Sequence, residues 1–193
     1  MRFVRLQSGT FFPCAARGVS LRRGTAGPME KYDLVVIGGG LGGVSAALAA
    51  LRHGRKVFLS EQFRWVGGQM TSQAVPPDEH PWIESFGCTA SYRKLRDDVR
   101  QYYRDYYPLK PEIAANPRFN PGNGFVSTLC HEPRVSHAVL MSYLMPYIGS
   151  GRLTLAIPYR PISVSKREEK LETVTLSHLQ SNRELTVSAP YFI

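Results

Sequence analysis

Cysteine is scarce in this chain, and its three thiols lie far apart in the sequence. Cys14, Cys88 and Cys130 form no C-x-x-C pair, which excludes a dithiol redox centre and a zinc ribbon of the usual spacing. The histidines have no metal-ligand spacing with other residues, so the sequence predicts no metal site. We expect the cysteines of the folded part to be reduced, buried thiols.

Long apolar runs and acidic residues are also in short supply. No run approaches the roughly 20 apolar residues that cross a bilayer, so we expect no membrane segment. The net charge is +9, and five of these charges lie in residues 1–28, which contain no acid. Because the remainder is only mildly basic, we expect no nucleic-acid partner. A hydrophobic content of 43% is enough for one sizeable core.

The basic leader at 1–28 has three interpretations. An arginine-rich, acid-free segment is typical of an organellar transit peptide, and it is also typical of a disordered arm that binds anionic partners. The third interpretation, which we favour, is that translation begins at Met29. We therefore treat residues 1–28 as a disordered leader outside the fold, and expect a cytoplasmic protein with organellar targeting as the alternative.

The strongest signal follows this leader, where an apolar run at 33–37 leads into a glycine cluster. The cluster reads Gly38-Gly39-Gly40-Leu41-Gly42-Gly43. An alanine-rich helix is predicted after it, then a second strand at 56–60 that ends at Glu61. Glycines between a strand and a helix, with an acid about twenty residues further on, are the fingerprint of a dinucleotide-binding domain.

Each position of the fingerprint has a mechanical reason. Gly38 permits the tight turn out of the strand, and Gly40 lets the main chain approach a pyrophosphate. Gly43 lets the helix lie against the strand. Glu61 is placed to accept both hydroxyls of an adenosine ribose and to repel a 2′-phosphate, which disfavours NADP. The fingerprint alone leaves NAD, FAD and a methyltransferase-like nucleotide open.

The residues after Glu61 carry a family resemblance. Gly67, Gly68 and Gln69 look like the second glycine pair of the flavoproteins whose FAD domain is of the glutathione-reductase type. More narrowly, residues 31–193 resemble a bacterial FAD-dependent oxidoreductase family, in the stretches 67–73, 91–96 and 189–193.

This resemblance implies FAD as the cofactor and hydride or electron transfer from a small-molecule substrate to the flavin. It implies that FAD is bound by residues of both glycine loops and by one position near the exit of a third parallel strand. These are Gly38, Gly40, Leu41, Gly42, Gly43, Glu61, Gln62, Gly67, Gly68, Gln69 and Pro161. It also implies a closing motif after residue 193, so we expect the N-terminal part of a longer flavoprotein. An inactive truncated nucleotide-binding fragment is the alternative.

The predicted fold is α/β: a Rossmann-like FAD-binding domain over 29–193, incomplete at its C-terminus, with a parallel sheet and an antiparallel β-ribbon. A helical and loop insertion is expected at about 74–150, with helices at 92–107 and 134–148 around an irregular segment at 108–124. Strands are expected at 153–157, 162–166, 173–179, 184–187 and 191–193.

Two features of the insertion have competing interpretations. The arginines at 93, 96, 100 and 104 recur at helical spacing among acids, which favours a solvated, salt-bridged face over a nucleic-acid surface. His131, Glu132 and Arg134 gather before a helix, where ion pairing and capping explain them as well as catalysis does. The sequence identifies no catalytic residue.

Overall fold

The computed structural model describes residues 31–193, so the predicted leader and the start at Met29 lie outside the described residues. The fold begins with strand β1 (Leu34–Ile37), helix α1 (Leu41–Arg52) and strand β2 (Val57–Ser60). The two strands are apolar and almost wholly buried, as strands covered on both faces are. This unit agrees with the sequence prediction.

A parallel sheet of four strands is built around this unit. Strand β3 (Leu153–Ala156) lies beside β2, and strand β7 (Tyr191–Phe192) lies on the other side of β1, giving the order β3-β2-β1-β7. The register places Val36 beside Leu59 and Leu59 beside Leu155. The carboxyl ends of all four strands therefore meet at one edge, where ligands of parallel sheets bind.

A second, antiparallel sheet follows β3. Its strands are β4 (Tyr159–Arg167), β5 (Lys170–His178) and β6 (Glu184–Val187), in that order. The alternation predicted along β5 is present, since Val174 and Leu176 are buried while their neighbours are less so. The prediction of a parallel sheet with an antiparallel ribbon is confirmed.

Three helices connect β2 to β3. They are α2 (Ala90–Tyr106), α3 (Pro111–Ala115) and α4 (Pro133–Gly149). The predicted helices match α2 and α4 to within two residues, but α3 falls in the segment predicted to be irregular, and that prediction is wrong there. Pro111 is the first residue of α3, a position where proline favours a helix because its missing N–H needs no partner.

The core lies on both faces of the parallel sheet, and consecutive strand residues contribute to opposite faces. Val36 and Leu59 join an apolar cluster with α1, α2 and α4, whereas Val35 and Phe58 join a cluster with the antiparallel sheet. This alternation follows from the two-residue period of a strand. The molecule thus has three layers, with helices above and the ribbon below the sheet whose edge carries the glycines.

The arginine face of α2 corrects one prediction. Arg96 and Arg100 are each only 1% exposed. They bind Glu79 and Glu84 of the preceding loop, and Arg100 Nε also donates to the carbonyl of Phe119 at 2.9 Å. The prediction of a solvated face is wrong for these two arginines because the loop before the helix folds back over it. The two glutamates neutralise the guanidinium groups, and charged side chains are rarely buried without such partners.

Candidate nucleotide-binding edge

The turn after β1 begins at Gly38. Its φ of +110° is in the region that glycine adopts without strain, and its N–H donates to the carbonyl of Ser60 at 3.1 Å. Gly40 then occupies the position before α1, and its carbonyl accepts from Val44 N–H at 2.9 Å. The tight turn that the sequence predicted at Gly38 is present.

Gly43 and Gly40 have opposite surroundings. A Cβ on Gly43 would lie 1.8 Å from the carbonyl oxygen of Gly38, so only a glycine lets α1 pack this closely on the turn. A Cβ on Gly40, or on Gly42, would have no atom within 4 Å. The fold thus requires Gly43, while the space above Gly40 is open for a ligand to approach the main chain.

The start of α1 has features that favour the binding of an anion. Gly40 has no side chain to cap the helix, and the first turn contains no acidic residue. The first N–H groups of a helix have no partners within it and lie at the positive end of its dipole. Leu41, Gly42 and Gly43 therefore present main-chain donors at the edge where phosphates bind in such folds.

Glu61 is fixed at the same edge by its main chain and its side chain. Its N–H donates to the Ala156 carbonyl at 3.0 Å, and its carbonyl accepts from Tyr159 N–H at 2.9 Å. Its Oε1 accepts from Phe63 N–H at 2.8 Å, and the residue is 5% exposed. The carboxylate is therefore held in one orientation beside the glycine turn.

Gly39 is a residue of this edge that the sequence analysis missed. A Cβ there would lie 2.9 Å from Glu61 Cβ and 3.1 Å from its Oε2. The glycine lets the acid lie directly against the turn. The sequence did contain a signal for it, because three consecutive glycines are more than the fingerprint requires. The additional glycine, Gly39, is explained only by the position of Glu61 in the folded molecule.

The second glycine loop joins the first one. Gly67, with φ +106°, donates its N–H to the Gly39 carbonyl at 2.8 Å and forms a parallel bridge with Gly40. A Cβ on Gly68 would lie 3.2 Å from Gly40 Cα. A short 3-10 turn (Gly68–Met70) follows, with the side chain of Gln69 exposed. The structure thus brings together the two loops that were predicted separately.

Two of the predicted FAD-binding positions, Gln62 and Pro161, are less closely connected to the glycine turn. Gln62 follows Glu61 directly and is exposed. Pro161 lies in β4, exposed and opposite Leu176 of β5. It is two residues beyond Tyr159, whose N–H binds Glu61. Its place at this edge rests on the chain path alone.

The edge fits the ADP part of a dinucleotide. It combines an open space over Gly40, main-chain donors at the helix start and a fixed carboxylate at the end of the second strand, where the acid of such folds binds the ribose. The hydroxyl of Ser60, at the end of β2, is buried and has no hydrogen-bond partner among the described residues.

The residues before α4 form ion pairs and hydrogen bonds. Glu132 accepts from Arg134 and from Tyr107 Oη, the latter at 2.8 Å, and these two contacts lower the pKa of Glu132. His131 contacts the Leu129 carbonyl at 2.7 Å and the hydroxyl of Ser136. Burial lowers the pKa of His131 below its usual 6.5, which favours the neutral ring. These contacts match the ion-pairing part of the interpretation, but the expected capping is absent, since Glu132 at the N-cap makes no side-chain hydrogen bond to the helix start.

Within the described part of the chain, neither the cysteine thiols nor the potential metal ligands form a redox or metal centre. Cys88 is half-buried and Cys130 buried, and both are free thiols, while Cys14 lies outside the described residues. Residues 31–193 contain no group of three or more histidine, cysteine or acidic side chains able to hold a metal ion. In the same range, no helix is long and apolar enough to cross a membrane.

The fold and its edge define a dinucleotide-binding domain of the type found in flavoproteins. The sequence model described as FAD dependent oxidoreductase matches residues 33–193. The chain belongs to this family, and the predictions of the family and of FAD as its cofactor are confirmed.

Individual relatives agree with this assignment. The chain is 37% identical to a bilirubin reductase of Mediterraneibacter gnavus over 99 residues, which is 49% of this chain and 15% of the relative. It is 25% identical to a probable sarcosine oxidase of Arabidopsis thaliana over 142 residues, or 70% of this chain and 33% of the relative. The chain therefore spans a third or less of the length of these relatives.

A solved structure supports the fold. The myxobacterial chondrochloren halogenase CndH, an FAD-dependent halogenase, matches with a TM-score of 0.51 and 17% identity. The match covers 84% of this chain and 36% of the halogenase. At this identity the likeness concerns the fold only.

Proposed function

We propose that the carboxyl edge of the parallel sheet binds the ADP part of FAD. The pyrophosphate lies over Gly40 and accepts from the main-chain donors of Leu41, Gly42 and Gly43. The carboxylate of Glu61 accepts from the ribose hydroxyls. The observation that carries the proposal is the open space above Gly40, bounded by the acid and by the second glycine loop.

The remaining predicted positions complete this site. Gly67 and Gly68 bring the second loop against the first, and Gln62 and Gln69 offer exposed amide groups on either side of it. The carbonyl of Pro161 accepts from the adenine amino group. Each role follows from the chemistry of the group and its position in the chain.

We propose further that the whole protein is an oxidoreductase that takes a hydride or electrons from a small-molecule substrate. Bound FAD supplies this chemistry, and the protein supplies binding, orientation and nearby charge. In this chain, the helix donors and Glu61 fix the ADP end, so that the second loop is aligned with the flavin end.

The proposal includes a cytoplasmic location and no nucleic-acid partner. Support for the second point comes from α2, where Arg96 and Arg100 are buried against Glu79 and Glu84 and are not presented to a phosphate backbone. The alternative of organellar targeting depends on residues 1–28, which lie outside the described residues.

Replacing Gly40 by valine tests the site without disturbing the fold. Gly40 has φ −60° and ψ 177°, which valine adopts, and a Cβ there meets nothing within 4 Å. The side chain would instead fill the space of the pyrophosphate. We expect FAD affinity, measured by quenching of flavin fluorescence in a titration of the purified chain, to fall by about 100-fold or more.

Gly149→Val is the matched control, because Gly149 also has open surroundings but lies at the far end of α4. It should leave FAD affinity within about twofold of the unchanged chain. Equal FAD affinity in the Gly40→Val variant would contradict the proposed placement. Tighter binding of NAD than of FAD by the unchanged chain would favour the NAD interpretation instead.

A further inference from the structure

A cleft beside the second glycine loop has features that the ADP site does not use. It has a volume of about 870 Å³ and lies between residues 63–65, residues 71–74 and the start of α4. This volume falls within the range of small-molecule sites, and the cleft is wide open to solvent. Its walls include the apolar side chains of Phe63, Trp65 and Pro133.

The aromatic wall of the cleft is held in place from behind. The ring of Trp65 stacks on the ring of His137 in α4, with centroids 5.3 Å apart and planes 17° from parallel. Residues 71 and 72 tie the same loop together, since Thr71 Oγ1 donates to the Val66 carbonyl at 2.8 Å and Ser72 Oγ donates to the Trp65 carbonyl at 3.2 Å. The flat apolar surface is therefore formed before any ligand arrives.

The charges around the cleft leave one cation unneutralised. Arg134 binds Glu132, so this pair contributes no net charge. Arg64 also lines the cleft and is exposed. Within residues 31–193, no carboxylate lies within salt-bridge distance of its guanidinium group.

The hydroxyl groups of the cleft cannot provide the donors that an anion needs. A hydroxyl has one proton to donate, and Thr71 and Ser72 already donate theirs to main-chain carbonyls. Arg134 also lines the cleft, but it is paired with Glu132. Arg64, with five N–H groups in a planar fork, is the cation of the cleft that has no carboxylate partner among the described residues, and it matches the geometry of a carboxylate.

We propose that this cleft binds small organic carboxylates with a flat apolar body. The carboxylate pairs with Arg64, and the body lies against Phe63, Trp65 and Pro133. As a site for the substrate of the flavin, this inference rests on the proposed function. As a binding site, it is independent of FAD.

Fluorescence of Trp65 provides a direct test. The sequence contains two tryptophans, so the Trp82→Phe variant of the full chain reports on Trp65 alone. The probe is 3-phenylpropionate, and its uncharged match is 3-phenylpropanamide. Measurements at pH 8 keep the stacked ring of His137 neutral, since burial lowers its pKa below the usual 6.5. We expect a saturable change with the carboxylate, at an affinity about tenfold or more above that of the amide.

Two further variants in the Trp82→Phe background locate the charge. Arg64→Gln should abolish the preference for the carboxylate, whereas Arg118→Gln, which removes an exposed arginine from the loop before Phe119, should keep it. Equal affinity for carboxylate and amide, no saturable change with the carboxylate, or equal effects of the two variants would overturn the proposal. FAD affinity of the same samples is measured separately. Loss of FAD binding with the preference intact would contradict the proposed function only, and the reverse result would contradict this inference only.

Discussion

The candidate nucleotide-binding edge and the charged cluster beside α2 are formed by different kinds of chemical group. The edge combines glycines and main-chain groups within residues 38–72 with the side chain of Glu61, and its close approaches depend on glycines that have no side chain. The cluster consists of Arg96 and Arg100 with Glu79 and Glu84, all long side chains that meet across a loop. The comparison indicates that contacts set by a regular strand, turn and helix are easier to read from a sequence than contacts made by an irregular loop.

The largest effect is expected at the edge, for Gly43→Ala. A methyl group 1.8 Å from the Gly38 carbonyl oxygen overlaps main chain that a rotamer change cannot move. Overpacking of side chains, which can move aside, costs about 1–3 kcal/mol. Because this overlap is with the main chain, we expect a larger loss, of more than about 4 kcal/mol, in the free energy of unfolding. Urea unfolding followed by circular dichroism measures it.

Gly42→Ala is the neighbouring control for this change. Gly42 lies in the same helix, but a Cβ there has no atom within 4 Å. Alanine is the better helix former, by about 0.8–1.0 kcal/mol. The control variant should therefore be as stable as the unchanged chain or slightly more so. Similar losses in both variants would mean that the close approach of α1 to the turn does not govern stability.

A smaller effect is expected in the charged cluster, for Glu84→Ala. Glu84 binds both Arg96 and Arg100, whose side chains are 1% and 2% exposed. Removing one partner of a buried ion pair leaves charge uncompensated, which costs about 3–5 kcal/mol. Because the Glu84 side chain itself is 14% exposed, we expect a loss near the lower limit, about 3 kcal/mol, in the same unfolding measurement.

Asp97→Ala provides the comparison on the exposed side of α2. Asp97 lies directly after Arg96 on α2, and its side chain is exposed. Its removal should change the free energy of unfolding by no more than about 0.5 kcal/mol. A larger loss for Asp97→Ala than for Glu84→Ala would restore the prediction of a solvated, salt-bridged face.

The smallest effect is the acid dependence of the same cluster. Burial alone raises the pKa of Glu84, but the hydrogen bond and charge of Arg100, with the charge of Arg96, outweigh it and hold the pKa below its usual 4.5. A carboxylate whose pKa is lower in the folded state contributes stability that is fully present above the unfolded pKa, and is lost as the pH falls through the folded pKa. Stability should therefore decline below about pH 4.5.

Glu84→Gln should flatten this decline, because the amide does not titrate. Glu112→Gln, an exposed acid in the first turn of α3, should keep the decline of the unchanged chain. The measurement is the free energy of unfolding between pH 3 and pH 6 for the three proteins. Parallel curves for the unchanged chain and Glu84→Gln would mean that this carboxylate is not stabilised by the arginines.

The sequence predicts the arrangement of the edge because regular elements of known length set its spacing. Gly38 and Gly43 lie five residues apart, and the turn that joins them is decided by glycine conformations alone. Glu61 is further away, but the length of one helix and one strand fixes its position. Gly39 escaped prediction because its constraint comes from the side chain of Glu61, which reaches the turn only in the folded molecule.

The charged cluster could not be predicted in the same way. The arginine spacing along α2 identifies a common face, but not what covers it. Glu79 and Glu84 lie 12 to 17 residues before the arginines they bind, in a proline-rich loop without periodicity. The acids on α2 itself are nearer in the sequence and suggested ion pairs along the helix. In the folded molecule the two arginines bind acids of the preceding loop, because tertiary contacts override local preferences.

The spare room above Gly40 also has a consequence for how damage to this protein would be noticed. A chain that carries a larger residue there would fold as the cofactor-free chain does, because a Cβ at that position meets no atom within 4 Å. It would lose only the stabilisation that a bound ligand gives to the folded state. Such a lesion would be visible as a missing cofactor in a protein that is still folded.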